Sequence, residues 1–286
     1  MNYSDFACPE CRHFPLFKGN DCLQCPTCNT SYPIHNSVPL LLPQVNISTN
    51  INGNDHSLAD VQEIYNKVYN HDGLMGTDLD ATYDRVTKTI LLEFADPLGG
   101  KRLLDVGTGI GRLWDYAPEN VRGYALDLSI VGVSKALECH PDLTVSASVG
   151  EHLPYPDMFF DVVIAADTIE HTFSPTHTLT EINRVLKPSG IFCASFPIPN
   201  SLRKWGWNQI INHNFKAKFL LDLASVLWNR FRLFGTPTFQ PIDRDLDIHA
   251  WVDMVENTEF NIKKILEWPS EPQVPIVYLV HANKNE

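Results

Sequence analysis

The sequence predicts an α/β fold, a doubly wound sheet of mostly parallel strands preceded by a small metal-stapled module, and three stretches predict it. The apolar run Leu103-Leu104-Asp105-Val106 ends in alternating glycines, Gly107, Gly109 and Gly111, as a buried parallel strand does where it turns into a crossover. A second run, Gly123-Tyr124-Ala125-Leu126-Asp127-Leu128, ends in an acid about twenty residues further on, where a ribose-binding carboxylate belongs. Ahead of both, Cys8-Pro9-Glu10-Cys11 and Cys25-Pro26-Thr27-Cys28 form two C-x-x-C pairs, the spacing with which a chain wraps a metal ion.

The glycine turn carries the most chemistry. Glycine accepts the positive φ of a tight strand-to-helix turn, and without a Cβ it lets a ligand approach the backbone. A helix is expected from about Ile110, its first amides facing that ligand. A dinucleotide fingerprint would read G-x-G-x-x-G, whereas these glycines alternate strictly, with Asp105 two residues before Gly107. That spacing resembles motif I of the class I S-adenosylmethionine-dependent methyltransferases, and the resemblance runs from about Ala59 to the C-terminus. It implies a seven-stranded, Rossmann-like sheet with S-adenosyl-L-methionine as cofactor. The cofactor would be held by Asp105, Gly107, Thr108, Gly109 and Gly111, with its ribose on Asp127 beside Leu128.

Composition narrows the alternatives. A chain of 286 residues that is 44% hydrophobic can bury a large core. No run of eighteen apolar residues occurs, and the N-terminus does not read as a signal peptide. A soluble, cytoplasmic protein is therefore expected, which makes the Asn2 and Asn46 sequons accidental. A net charge of −12 argues against wholesale coating of nucleic acid.

Five of the seven cysteines lie between Cys8 and Cys28, a clustering that suits metal in a reducing compartment. Two thiolates from each knuckle supply the tetrahedral sulfur set that Zn2+ accepts, and four protein ligands leave no open position, so Cys8, Cys11, Cys25 and Cys28 are expected to hold a structural ion. Cys22 is spare. The following Ser31 to Pro43 looks like the closing strands of a zinc ribbon. Such ribbons are fused ahead of some methyltransferases, among them the 23S ribosomal RNA guanine-N1 methyltransferases. There the last metal ligand is often histidine, whereas here it is Cys28, which weakens the transfer of RNA as substrate. The expected organisation is a ribbon over 1–43, a polar linker over 44–58 and a methyltransferase domain over 59–286.

Ser57 is placed to cap a helix, and Val61, Ile64, Tyr65, Val68 and Tyr69 recur at helical spacing. A second amphipathic stretch covers Asp80 to Phe94. Helices here fold over the cofactor in the resembled superfamily, which makes Tyr65, Tyr69 and Arg85 candidates to touch its methionine end. Ordinary packing of the tyrosines and a solvated Arg85 is the preferred reading.

Beyond Asp127 the pattern gives a helix from Val131 to Cys139 and a strand from Leu143 to Ala147. Gly150-Glu151-His152-Leu153-Pro154-Tyr155 resembles the adenine-contacting segment of the family. Many relatives place an aspartate where this chain has Val149, so the adenine contact falls to Glu151 or to backbone groups. Phe160 to Ala166 is apolar on both faces, as a central parallel strand should be. At its carboxyl edge, where ligands bind in such sheets, stands Asp167-Thr168-Ile169-Glu170-His171. A helical turn starting at Asp167 would bring Glu170 and His171 onto its face. His171 then suits proton removal from an acceptor, with Asp167 and Glu170 beside it and Asp167 also at the cofactor. The stretch also looks like the Glu-x-x-Glu-His of quinone-biosynthesis O-methyltransferases, whose acids are associated with a divalent metal. A plain cap by Asp167 is the structural alternative.

Glu181 to Gly190 resembles the helix and turn before strand five of the family, with Ser189 where glycine is common, and Ile191 to Phe196 supplies that strand. Between residues 200 and 245 the chain is longer than the family requires. This insertion carries Trp205, Trp207, Phe215, Phe219, Trp228, Phe231 and Phe234. Seven cations (Arg203, Lys204, Lys216, Lys218, Arg230, Arg232, Arg244) face only Asp222, Asp243 and Asp245. Phe219, Leu220, Leu223, Val226 and Leu227 mark a helical face, which reads as a helix packed on the domain, a lid over an apolar acceptor, or a peripheral membrane contact. Basic residues interleaved with aromatics also suit RNA. A helix from Ile248 to Glu256 and strands over Asn261 to Trp268 and Pro275 to Ala282 close the chain. The expected function is methyl transfer to oxygen or nitrogen of a small or lipid-like acceptor. An RNA base methyltransferase and a catalytically silent cofactor-binding partner are the rival readings.

Overall fold

Alternating burial in short strands builds a ribbon at the N-terminus: β1 (Phe17–Lys18), β2 (Cys22–Gln24), β3 (Ser31–His35) and β4 (Val38–Pro39) pair in that order, each antiparallel to the next. The computed structural model describes residues 3–51, 54–70, 78–197, 241–242, 244, 247–268 and 277–284. The Asn- and Ser-rich stretch expected as a linker carries a hairpin, β5 (Ser48–Ile51) and β6 (Asn54–Ser57). Ser57 then caps α1 (Leu58–Asn70), its hydroxyl accepting from the Asp60 amide at 3.3 Å. A second helix, α2 (Asp78–Phe94), leads to the first strand of the main sheet.

That sheet comprises β7 (Arg102–Val106), β8 (Arg122–Asp127), β9 (Thr144–Ala147), β10 (Phe160–Ala166), β11 (Leu186–Pro197), β12 (Phe260–Trp268) and β13 (Val277–Lys284). Crossover helices α3 (Ile130–Cys139) and α4 (Pro175–Val185) and a last helix, α5 (Ile248–Glu256), accompany it. The strand order is β12-β13-β11-β10-β7-β8-β9, parallel except where β13 runs against both neighbours. The order reverses between β7 and β10, and ligands bind such sheets in the crevice at the reversal. Fully buried Leu103, Leu104, Val162, Val163 and Ile164 fill these central strands, which explains their unbroken apolar runs.

Two local expectations change. No α-helix forms at Ile110; the chain makes only a 3-10 turn over Arg112–Asp115. Pro118 lacks an amide proton and disfavours the α conformation at Ala117, so a helix begun at Gly111 has no second turn to enter. Strand β11 starts five residues early at Leu186, and its register against β10 shifts between Phe160 and Val162. Ser189 takes φ +58 in that irregularity, the conformation for which the family favours glycine.

The ribbon does not hang off the sheet. Phe6, Leu23, Tyr32 and Leu41 share one buried cluster with Tyr124, Tyr155 and Phe160, and Phe6 lies 5.6 Å from the Tyr155 ring. At the open edge of the sheet, Leu40 bridges Ala147 in parallel, with the Leu41 amide donating to the Ala147 carbonyl at 2.8 Å. The first knuckle grips the following loop: Ala7 N–H bonds the Pro154 carbonyl at 2.9 Å, and Arg12 pairs with the buried Glu181 at 2.9 Å. An exposed β-edge is thereby covered, which removes a site for non-specific strand pairing. No helix among the described residues is long and apolar enough to cross a membrane.

Candidate functional site

The glycine turn and Asp127 meet at the reversal of strand order. Gly107, Gly109 and Gly111 have φ of +76, +55 and +87, so each sits where a side chain would be strained. A Cβ on Gly107 would also lie 2.4 Å from the Thr168 side chain. Behind the turn, the buried Asp105 accepts from Thr108 Oγ1 at 2.6 Å, and burial pushes its carboxyl up to about 6. Asp127 accepts from the Gly109 amide at 2.9 Å and the Ser129 amide at 2.8 Å. Burial raises it to about 6, although both amides favour the charged form.

These groups open on a pocket of about 680 Å³. Gly107, Asp127, Leu128, Gly150, Glu151, Asp167 and His171 of the expected site line it, and so do Tyr65 and Tyr69 of α1. Asp105, Thr108, Gly109 and Gly111 do not; they shape the turn from behind. Gly109 is covered by Tyr69, whose hydroxyl stands 2.9 Å from where a Gly109 Cβ would be. The packing reading of the tyrosines thus covers only part of their position, while Arg85 is exposed on α2 as that reading expects. Glu151 is buried and accepts from the Ser174 amide at 2.8 Å, so its carboxylate braces the 173–174 backbone. Thr168, Thr172 and Phe173 also line the pocket; no residue-type pattern in the sequence marks them.

The expected convergence of Asp167, Glu170 and His171 on one helical face does not occur. Asp167 has φ +50, and the turn that follows is 3-10 and begins only at Ile169. Asp167 is drawn the other way by Ser195 of β11, whose Oγ accepts from the Asp167 amide at 2.9 Å and donates to its carboxylate at 2.8 Å. Glu170 is fully buried and outside the pocket lining, with Oε1 3.5 Å from His171 Nε2. The second nitrogen is decisive: His171 Nδ1 lies 2.7 Å from the Ile242 carbonyl. A carbonyl only accepts, so Nδ1 carries a proton and Nε2 is the accepting nitrogen of the neutral ring.

Among the described residues, the one group of three or more metal-donor side chains close to one another is Cys8, Cys11, Cys25 and Cys28, their sulfurs within 4.8 Å of each other. Cys22 stands outside it. The Asp167, Glu170 and His171 donors form no such group, which the opposed directions of Asp167 and Glu170 explain. Of the insertion, residues 200–240 lie outside the described residues, so the helix, lid and membrane readings placed there do too. Its exit is described, and it packs on the His171 turn: Ile242 is fully buried with Val61 and Phe173.

Residues 104–194 match the family described as a methyltransferase domain, and the match spans the glycine turn, Asp127 and the His171 turn. The chain carries a class I S-adenosylmethionine-dependent methyltransferase domain. Its sequence is 30% identical over 193 residues to a dimethylglycine N-methyltransferase of Parasynechococcus marenigrum, covering 62% of this chain and 66% of that one. It is 32% identical over 129 residues to a 27-O-demethylrifamycin SV methyltransferase of Amycolatopsis mediterranei, covering 40% and 46%. The chain thus spans about half to two thirds of the length of these curated relatives. The methyltransferase fold also matches a solved complex between the Haloferax volcanii Trm112 methyltransferase activator and a methyltransferase. That likeness has a TM-score of 0.57 at 16% identity, over 79% of this chain and 98% of that one.

Proposed function

We propose that the protein transfers a methyl group from S-adenosyl-L-methionine to an oxygen or nitrogen of a small or lipid-like acceptor, with His171 taking the acceptor's proton. The observation that carries this reading is the Nδ1 bond to the Ile242 carbonyl, which gives the pocket one nitrogen committed to accepting a proton. The residues fit the donor. The glycine turn presents bare backbone, Asp127 offers a carboxylate to ribose hydroxyls, and the lining combines Tyr65, Tyr69 and Phe173 with Asp127, Glu151 and Asp167. Aromatic faces and carboxylates both favour a cationic ligand. When bound, the donor supplies a sulfonium methyl that passes to the acceptor's lone pair as the carbon–sulfur electrons return to sulfur.

Gly150 and Val149 form the wall expected to meet the adenine, and Glu151, also in the lining, ties that side of the pocket to the Ser174 amide. His171 Nε2 takes the acceptor proton, and the Glu170 carboxylate 3.5 Å away favours the imidazolium so formed. Small relatives' substrates, dimethylglycine among them, agree with an acceptor of modest size. The four-cysteine cluster is read as a structural Zn2+ site: all-thiolate donors at this separation match what zinc prefers and leave no open position. We place the chain in the cytoplasm, with any membrane contact peripheral and through residues 200–245.

The test is incubation of the purified chain with methyl-labelled donor and fractionated lysate. Label is expected in a small-molecule or lipid fraction; label confined to RNA would overturn the acceptor class. His171→Ala is expected to lower turnover by about 100-fold or more while donor affinity stays within about twofold. Unchanged turnover would remove His171 from the mechanism.

A further inference from the structure

The turn that carries His171 is held from outside by a residue of the insertion. Arg244 Nη1 donates to the Glu170 carbonyl at 3.2 Å and to the Thr172 carbonyl, and Nη2 donates to the Phe173 carbonyl at 2.8 Å. The same Nη2 reaches Thr49 Oγ1 of the β5–β6 hairpin at 3.4 Å. The guanidinium is therefore spread over neutral oxygens, three of them main-chain carbonyls on either side of His171. Only a planar fork of donors spans such a set at once; an ammonium is a point charge.

Two residues earlier, Ile242 contributes in two ways: its carbonyl receives His171 Nδ1–H, and its side chain is buried against Val61 and Phe173. The carbonyl that fixes the imidazole and the guanidinium that fixes the imidazole's backbone thus belong to one short piece of chain. Glu151 completes the bracket from the cofactor side, accepting from the Ser174 amide and favouring the charged form of Arg244, while burial pulls the Arg244 pKa down.

We propose that Arg244 is a positioning residue for His171, clamping the 170–173 turn to the exit of the insertion so that Nδ1 stays on the Ile242 carbonyl and Nε2 stays the accepting nitrogen. This rests on the reading of His171 as proton acceptor. It also makes the insertion a source of control over the reacting side of the pocket, because whatever displaces residues 242–244 releases the imidazole from its single tautomer.

The test uses the full chain labelled with 15N-histidine, with S-adenosylhomocysteine as the probe of the donor site. His171 is assigned by the signal lost in His171→Gln. The wild type is expected to show His171 with a protonated Nδ1 and an unprotonated Nε2. In Arg244→Gln and in Arg244→Lys the two nitrogens are expected to average toward a mixture of tautomers, with S-adenosylhomocysteine affinity within about threefold of wild type. A His171 signature unchanged in Arg244→Gln overturns the proposal, and so does a wild type with an unprotonated Nδ1. Loss of fold in both variants, read by circular dichroism, also overturns it, since Arg244 would then serve the fold and not the imidazole. Failure of the wild type to bind S-adenosylhomocysteine would instead count against the donor site itself, a separate result from the tautomer readout.

Discussion

The two walls of the pocket are built in opposite ways. The wall proposed to hold the donor, the donor wall, comes from residues close in sequence: Gly107 follows β7, Asp127 ends β8, and the two strands are neighbours in register from Arg102 and Arg122 to Val106 and Leu126. The wall proposed to face the acceptor, the reacting wall, is assembled from pieces far apart, with His171 held by Ile242, 71 residues away, and the turn tied through Arg244 to Thr49, 195 residues away. A wall made by adjacent parallel strands is rigid because the sheet fixes it. One made by a 3-10 turn and a returning loop is only as rigid as its side-chain ties, so the two should respond differently to substitution.

The largest expected effect lies on the donor wall. Gly107→Ala places a Cβ 2.4 Å from the Thr168 side chain at φ +76. Left-handed backbone costs about 1–2 kcal/mol for an ordinary residue, and overpacking adds about 1–3 kcal/mol. The variant should lose about 2–5 kcal/mol of stability in urea titration, and S-adenosylhomocysteine binding should fall at least about 100-fold by calorimetry. Wild-type affinity would show that this wall yields as readily as the other.

A smaller, pH-dependent effect sharpens the contrast. Asp127 ionises at about 6 in the folded chain against an ordinary 3.8. The native state therefore binds this proton more tightly than the unfolded state does, so its contribution to stability declines as pH rises from about 4 to 6 and is level above that. If the donor's ribose hydroxyls donate to the ionised carboxylate, as proposed, donor affinity should move the other way, rising about tenfold between pH 5 and 7 for a group titrating at 6. Calorimetry across that range checks it. In Asp127→Asn the rise should vanish, and a rise that persists would assign it to another group.

Legibility in the sequence divided along the same line. The C-x-x-C pairs, the glycine turn and the acid after β8 could be read because each is a local pattern whose chemistry depends on spacing along the chain. The seven-stranded sheet was implied by the family resemblance that those patterns carry, while the order of its strands comes from the structure. The helix expected at Ile110 was over-read because the strand-to-glycine-turn pattern said nothing of Pro118, eight residues on. The helical turn expected to start at Asp167 was misjudged because helical spacing assumed a backbone that Ser195, 28 residues away, holds in the left-handed region; Asp167 itself does line the pocket. Nothing in Arg244 announces three carbonyls on a distant turn, and the docking of the ribbon on β9 had only the run Leu40-Leu41-Leu42 as a signal. Side-chain ties across the fold carry no period.

Tyr69 lies between the two walls, and its variant has the smallest expected effect. Its hydroxyl covers Gly109, and its ring stands 3.1 Å from where a Gly132 Cβ would be, so the ring closes the glycine turn on the side of α1. Burial and the nearby Asp127 hold the phenol well above its ordinary pKa; it stays neutral at every working pH and adds no charge to the pocket. Tyr69→Phe removes one oxygen and keeps the ring, so S-adenosylhomocysteine affinity should change by less than about threefold, in line with at most a neutral hydrogen bond at the low end of the range, about 0.5 kcal/mol. The pH profile set by Asp127 should be unmoved. A loss of tenfold or more would mean that the hydroxyl itself bonds the donor, and α1 would then belong to the donor wall although it is more than thirty residues upstream of the motif that announces that wall.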